Sequence, residues 1–128
     1  MHTAIYMLTF AVLLVGIYAV VAKKNLIKII IGVLMLDYAV NLLLVLVGYR
    51  NFVPSPGAEL KPGVAPILSE GQLGAQMAAT AVDPLPQAMV LTSIVIGLGL
   101  TALMVALAIR LYEKYNTFDM NEIRRLRG

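Results

Sequence analysis

The residue whose chemistry stands out is Asp37, at the numerical centre of a 23-residue apolar run from Leu26 to Gly48 that is interrupted otherwise only by Lys28, Tyr38 and Asn41 among its polar side chains. An ionised carboxylate at the middle of a bilayer costs about 2.5 to 3.5 kcal/mol on insertion scales. The fifteen Leu, Ile and Val residues between Leu26 and Val47 each favour insertion by about 0.3 to 0.6 kcal/mol, so the helix can carry the load. Feasibility does not explain presence. A buried carboxylate pairs with a cation, faces hydrated protein interior or stays protonated, and each option makes it a candidate ion or proton relay. Asn41, at i+4, shares its face and can hold the carboxyl or a water. Tyr38 adds a hydroxyl on a face about 100° away. Lys28 is nine residues earlier and roughly 180° around the helix, too far round to pair with Asp37, and its stem suits snorkelling to the headgroups. The competing role for Asp37 is an interhelical hydrogen-bond anchor that transports nothing.

The elements that would position these groups follow from composition. Of 128 residues, 60% are apolar and 13% charged, against about 45 to 50% and about 25% in globular domains. A chain this short has too little interior to hide so much hydrocarbon. Residues 3–22 run without a charge and, at about 1.5 Å per residue, cover a hydrocarbon core of about 30 Å. Residues 26–48 and the uncharged stretch 86–109 do the same, which predicts an all-α integral membrane protein with three transmembrane helices. Only Lys23, Lys24 and Asn25 separate the first two, so these form a tight antiparallel hairpin. The segment 49–85 holds five of the six prolines and four of the ten glycines and reads as a long outer loop, followed after the third span by a tail over 110–128. Basic residues are retained on the cytoplasmic side. Eight stand on the hairpin and tail side, against Arg50 and Lys61 on the other. This predicts an external N-terminus and loop, a cytoplasmic C-terminus and residence in the cell membrane. Small residues at 20–22 also allow the first span to be a cleaved signal peptide, a reading weakened by the lysines directly after it.

The third span carries Ser93, Gly97 and Thr101 at i, i+4 and i+8, a small-residue stripe along which another helix can approach closely; the hydroxyls of Thr92 and Ser93 lining a hydrated path are the alternative. Pro84 and Pro86 suit a helix start, with Asp83 at the positive end of its dipole. In the loop, Ser69 and Gln72 form a weak capping signal before Leu73, Met77 and Ala81, which share a face and predict a short surface helix. Residues 119–127 alternate charge as a solvated docking helix would. Cysteine is absent and His2 is the single histidine, which excludes thiolate, iron-sulfur and disulfide chemistry and leaves no metal constellation. No nucleophile–base pair or nucleotide loop is present, so neither an enzyme active site nor a cofactor is expected. The net charge of +3 follows membrane topology and gives no reason to expect nucleic-acid binding.

Several motifs together resemble a known family. Lys23-Lys24-Asn25-Leu26-Ile27, Ile31-Gly32, Ala39-Val40-Asn41-Leu42-Leu43, Asp83-Pro84-Leu85-Pro86-Gln87-Ala88 and Leu91-Thr92-Ser93-Ile94-Val95-Ile96 are similar to the MrpC-type subunit of multisubunit cation/proton antiporters. The hairpin motif is shared with the related NuoK-type subunit of respiratory complex I. The resemblance implies a non-catalytic, three-helix subunit with an external N-terminus, packed among other membrane subunits and lipid, handling Na+ or H+. It also extends to antiporter-like modules joined to a membrane-bound hydrogenase or sulfane-sulfur reductase, where redox chemistry belongs to partner subunits. NuoK-type subunits carry a glutamate in the second helix, which aligns with Leu34, one turn before Asp37. Their third-helix glutamate falls near Gly97, and no acid occupies that span here. The rival readings are a NuoK-like proton-pumping subunit of complex I and a purely architectural subunit. A self-contained small multidrug exporter is disfavoured by three spans and by an acid in the second helix.

Overall fold

The computed structural model describes residues 2–68, 70–71 and 73–124. Its helices are α1 (His2–Ala22), α2 (Leu26–Gly48), α3 (Gly74–Thr80), α4 (Pro84–Tyr115) and α5 (Met120–Ile123); β1 (Asn51–Phe52) and β2 (Lys61–Pro62) lie between α2 and α3. Among the described residues, three helices are long and apolar enough to cross a membrane: α1 over Thr3–Ala22, α2, and α4. The first two match the expected spans. The third begins two residues sooner, at Pro84, because proline costs nothing in a first turn whose N–H groups have no helical partner. It also continues past Ile109 to Tyr115, since Arg110 ends the apolar run but is, like Leu111 and Lys114, a good helix former. Asn116 stops it, taking a left-handed φ of 52° while its N–H reaches the Tyr112 carbonyl at 2.6 Å, as an Asn C-cap does.

The chain divides into two compact units, residues 1–43 with 92–128, and residues 44–91. In the first, α1 and α2 approach so closely that a Cβ on Gly16 would stand 2.9 Å from Leu36 Cγ and 3.2 Å from the Gly32 carbonyl, and one on Gly32 2.9 Å from Ala19 Cβ. Small residues permit this approach, which lipid-exposed helices exploit for van der Waals contact. Thr9 is buried at 2% exposure, and its hydroxyl donates to the Ile5 carbonyl at 2.8 Å. The less exposed positions on this part of α4 are Ser93, Gly97, Thr101, Met104, Ala108, Leu111 and Tyr115. Their three- and four-residue spacing marks one helical face turned inward.

The tail folds back on the hairpin. The Leu26 N–H donates to the Phe118 carbonyl and the Met120 N–H to the Lys24 carbonyl, both at 2.8 Å, making an antiparallel bridge between Asn25 and Asp119. The Phe118 ring stacks on Tyr112 with centroids 4.4 Å apart. Asp119 caps α5 by accepting from the Asn121 N–H at 2.9 Å, and Ile123 is buried. In place of a free-standing solvated helix, the described tail is thus a single turn clasped to the hairpin; residues 125–128 lie outside the described residues.

In the second unit, β1 and β2 pair antiparallel, Asn51 with Pro62 and Phe52 with Lys61. Val64 and Ala81 form a parallel bridge, with the Val64 N–H on the Thr80 carbonyl at 3.0 Å and the Val82 N–H on the Val64 carbonyl at 2.9 Å. The expected short helix is α3, with Leu73 just before it; Ser69 and Gln72 lie outside the described residues. Arg50 clamps its C-terminal end, Nε donating to the Ala81 carbonyl at 2.6 Å and a terminal nitrogen to Ala78 at 2.5 Å. Cations belong at such carbonyls. Asp83 accepts from the Leu85 N–H at 3.0 Å, capping the start of α4. Pro86 leaves no room for a Cβ at Gly48, which would come within 2.7 Å of its ring.

Candidate ion site

Asp37 reaches α4 because its position on α2 meets a helix face with no side chain in the way. A Cβ built on Gly97 would lie 2.9 Å from Asp37 Oδ2 and 3.6 Å from Oδ1. The carboxyl therefore occupies the space that any other residue at position 97 would fill. In the small-residue stripe, the helix seated at Gly97 is the chain's own α2. Thr101, one turn on, donates its hydroxyl to the Gly97 carbonyl at 2.7 Å. This intrahelical bond fixes its rotamer and turns its oxygen along the same face.

Asp37 is half-buried and borders two cavities of about 270 and 330 Å³, both also lined by Leu34, Gly97 and Thr101. The first continues over Val33, Leu36, Val40 and Met104. The second continues over Tyr38, Ile94 and Leu98. Tyr38 borders the site from an exposed position, 68% accessible. Asn41 is buried at 8% exposure, and among the described residues its Oδ1 has no hydrogen-bond partner. Ser93 is half-buried on the α4 face that carries Gly97. The site is thus one carboxyl, one hydroxyl already engaged and a phenol, set in apolar walls, with an unsatisfied amide oxygen one turn along α2. A carboxyl in such surroundings has the chemistry to take up and release a small cation. Among the described residues no three His, Asp or Glu side chains are grouped as a metal site.

Lys28 stands apart from Asp37, lining a cavity of about 340 Å³ with Ala22, Lys23, Lys24, Asn25 and Asp119 at the hairpin. Sequence reasoning gave no packing role to Gly16, Gly32 or Thr9, whose signal for it was only a small residue within a span. It also missed the Arg50 clamp, which was marked solely by being one of two cations in the loop.

Comparison with known proteins agrees with this architecture. The profile of the family described as NADH-ubiquinone/plastoquinone oxidoreductase chain 4L matches residues 4–128. The C-type subunit of the Na(+)/H(+) antiporter of Bacillus subtilis is 39% identical over 102 residues, covering 80% of this chain and 76% of that protein. Its counterpart in Alkalihalophilus pseudofirmus is 34% identical over 111 residues, covering 87% of this chain and 84% of that one. Among solved structures, a chain of the membrane-bound sulfane sulfur reductase, an archaeal respiratory membrane complex, aligns with a TM-score of 0.73 and 45% identity over 92% of this chain and 94% of its own. With three membrane-crossing helices, the matching profile and relatives of nearly equal length, this chain is a multi-pass cell-membrane protein of the NADH-ubiquinone/plastoquinone oxidoreductase chain 4L family, the family that the NuoK-like resemblance indicated.

Proposed function

We propose that this chain is a non-catalytic membrane subunit of a Mrp-type cation/proton antiporter module, in which Asp37 forms part of an ion path and the exposed faces of α1 and α4 receive lipid and neighbouring membrane subunits. The observation that carries the reading is the Asp37 carboxyl seated on Gly97 between two cavities. A group so costly to place at mid-span is retained where it is used. Asn41 and Tyr38 assist from the same helix, and Ser93 and Thr101 from α4. The orientation is that of an external N-terminus and a cytoplasmic hairpin, after the basic-residue asymmetry. Redox chemistry, where the module is joined to a reductase or hydrogenase, belongs to partner subunits. The 45% identity to the sulfane sulfur reductase chain, above that to the antiporter subunits quoted, favours a respiratory assembly over a free-standing exchanger.

The test is Asp37→Asn in the assembled complex, which keeps shape and removes ionisation. Ion translocation by inverted vesicles should fall sharply while the complex stays intact on a native gel. Unchanged translocation would leave Asp37 as an interhelical anchor. That second, architectural reading draws on the fit of the carboxyl to Gly97, which serves packing as well as transport.

A further inference from the structure

The hairpin end of the first unit holds a basic cavity that the ion site does not use. It measures about 340 Å³, and Lys23, Lys24 and Lys28 line it with Ala22, Asn25 and Asp119. Retention of basic residues on one side of a membrane accounts for lysines at this end, but not for three of them bordering one cavity. Ammonium groups gathered there repel one another unless an anion joins them. The one carboxylate present is engaged elsewhere, since Asp119 accepts from the Asn121 N–H at 2.9 Å as the cap of α5. Among the described residues none of the three lysines is ion-paired. Asn25 Oδ1 accepts from the Ile27 N–H at 2.9 Å, which leaves the amide NH2 as that side chain's donor. Donors therefore outnumber the acceptors that could answer them.

We propose that this cavity binds the phosphodiester of a net-anionic phospholipid. Its depth selects a lipid as the source of the phosphate. Ala22 ends α1 and Leu26 begins α2, so the cavity lies where two apolar spans meet the headgroups, whichever way the chain is oriented. Lys23 folds back along α1, its Nζ 5.5 Å from the centre of the Tyr18 ring. Tyrosine rings of membrane helices sit at headgroup level, so that ammonium is held at the depth of lipid phosphates.

The surface below the cavity suits acyl chains. Tyr18, Val21, Ile27 and Ile31 are all exposed, Val21 to 79%. Ile31 lies one turn along α2 from Lys28 on the same face. A free phosphate would use the lysines and leave this apolar surface unused, whereas a phospholipid uses both. Basic pockets at the ends of membrane helices take anionic headgroups in this way, with lysine acting as a point charge on phosphate. This binding does not depend on Asp37 or on an ion path.

The test is photo-cross-linking of the complex in phosphatidylcholine nanodiscs. The probe is trace phosphatidylglycerol with a diazirine near the carboxyl end of one acyl chain; the same diazirine on phosphatidylcholine is the control. Peptide mass spectrometry should find the anionic probe on the end of α1 and the start of α2 at least about fivefold more than the control, and Lys24→Gln and Lys28→Gln should each lower that labelling about fivefold, the worth of one lysine at an anionic lipid surface. Lys24→Arg and Lys28→Arg should retain it. Excess unlabelled phosphatidylglycerol should compete, and millimolar inorganic phosphate should not. Equal labelling by the two probes would overturn the proposal. Displacement by inorganic phosphate would assign the cavity to a free anion, and no label from either probe would mean that a neighbouring subunit covers it; each result equally overturns lipid binding. The wild-type comparisons decide the matter even where a lysine variant fails to assemble.

Discussion

At the scale of single residues, the site depends on an absence. Gly97 has no Cβ, and the Asp37 carboxyl takes its place. Adding one methyl at that position forces the carboxyl aside, and because that group is the far end of a flexible side chain the cost is at the low end of overpacking, about 1 kcal/mol. Gly97→Ala should therefore reduce transport and lower the thermal stability of the detergent-solubilised complex. Removing the carboxyl as well should recover much of the stability, because the clash needs both partners. A double-mutant cycle between Asp37→Ala and Gly97→Ala should then show coupling of about 0.5 to 3 kcal/mol, as residues in contact do; additive effects would mean that the two do not touch. Asp37 and Asn41 were legible in the sequence because a carboxylate and an amide in an apolar run are conspicuous, and their i, i+4 spacing fixes a shared face whatever the neighbours are. That Gly97 and not another small residue receives the carboxyl was not legible, because a glycine permits contact without naming its partner.

At the scale of elements, the helices pair by close backbone approach. Gly32 admits Ala19 and Val20 of α1, where a Cβ would come within 2.9 and 3.1 Å of their side chains. Gly32→Leu should prevent the hairpin from closing and reduce the yield of intact complex on a native gel, whereas Gly99→Leu, where a Cβ meets nothing within 4 Å, should assemble normally within this chain. The hairpin is held a second time by the tail through the bridge between Asn25 and Asp119. Since the chain has no cysteine, Asn25→Cys with Asp119→Cys provides a clean cross-linking pair. Directly opposed residues on antiparallel segments lie about 4.5 to 5.5 Å apart, within disulfide reach. Oxidation should give an internally linked product that migrates as a monomer; its absence would mean that the tail does not fold back. This clasp uses backbone hydrogen bonds between segments nearly a hundred positions apart, which side-chain pattern alone does not encode. The Arg50 clamp on α3 is of the same kind.

At the scale of the whole molecule, most large apolar side chains on the three long helices remain exposed, as expected of a chain whose solvents are lipid and other subunits. Its orientation can be read directly. With a membrane-impermeant maleimide on intact cells, Lys61→Cys should label and Lys24→Cys should not, and the opposite pattern would invert the proposed topology. The amino-acid sequence by itself determined the number of spans, the bounds of the first two and the position of a carboxylate at the centre of the second. Hydrophobic length and intrahelical hydrogen bonding are local properties, and in a membrane they leave a helix as the available solution. Only the tertiary structure decided that α2 is the helix seated at Gly97, that Asn41 is buried with its acceptor unanswered, and that the tail closes over the hairpin. Each of these is a choice among sterically similar neighbours, settled by which surfaces fit once all the helices are present.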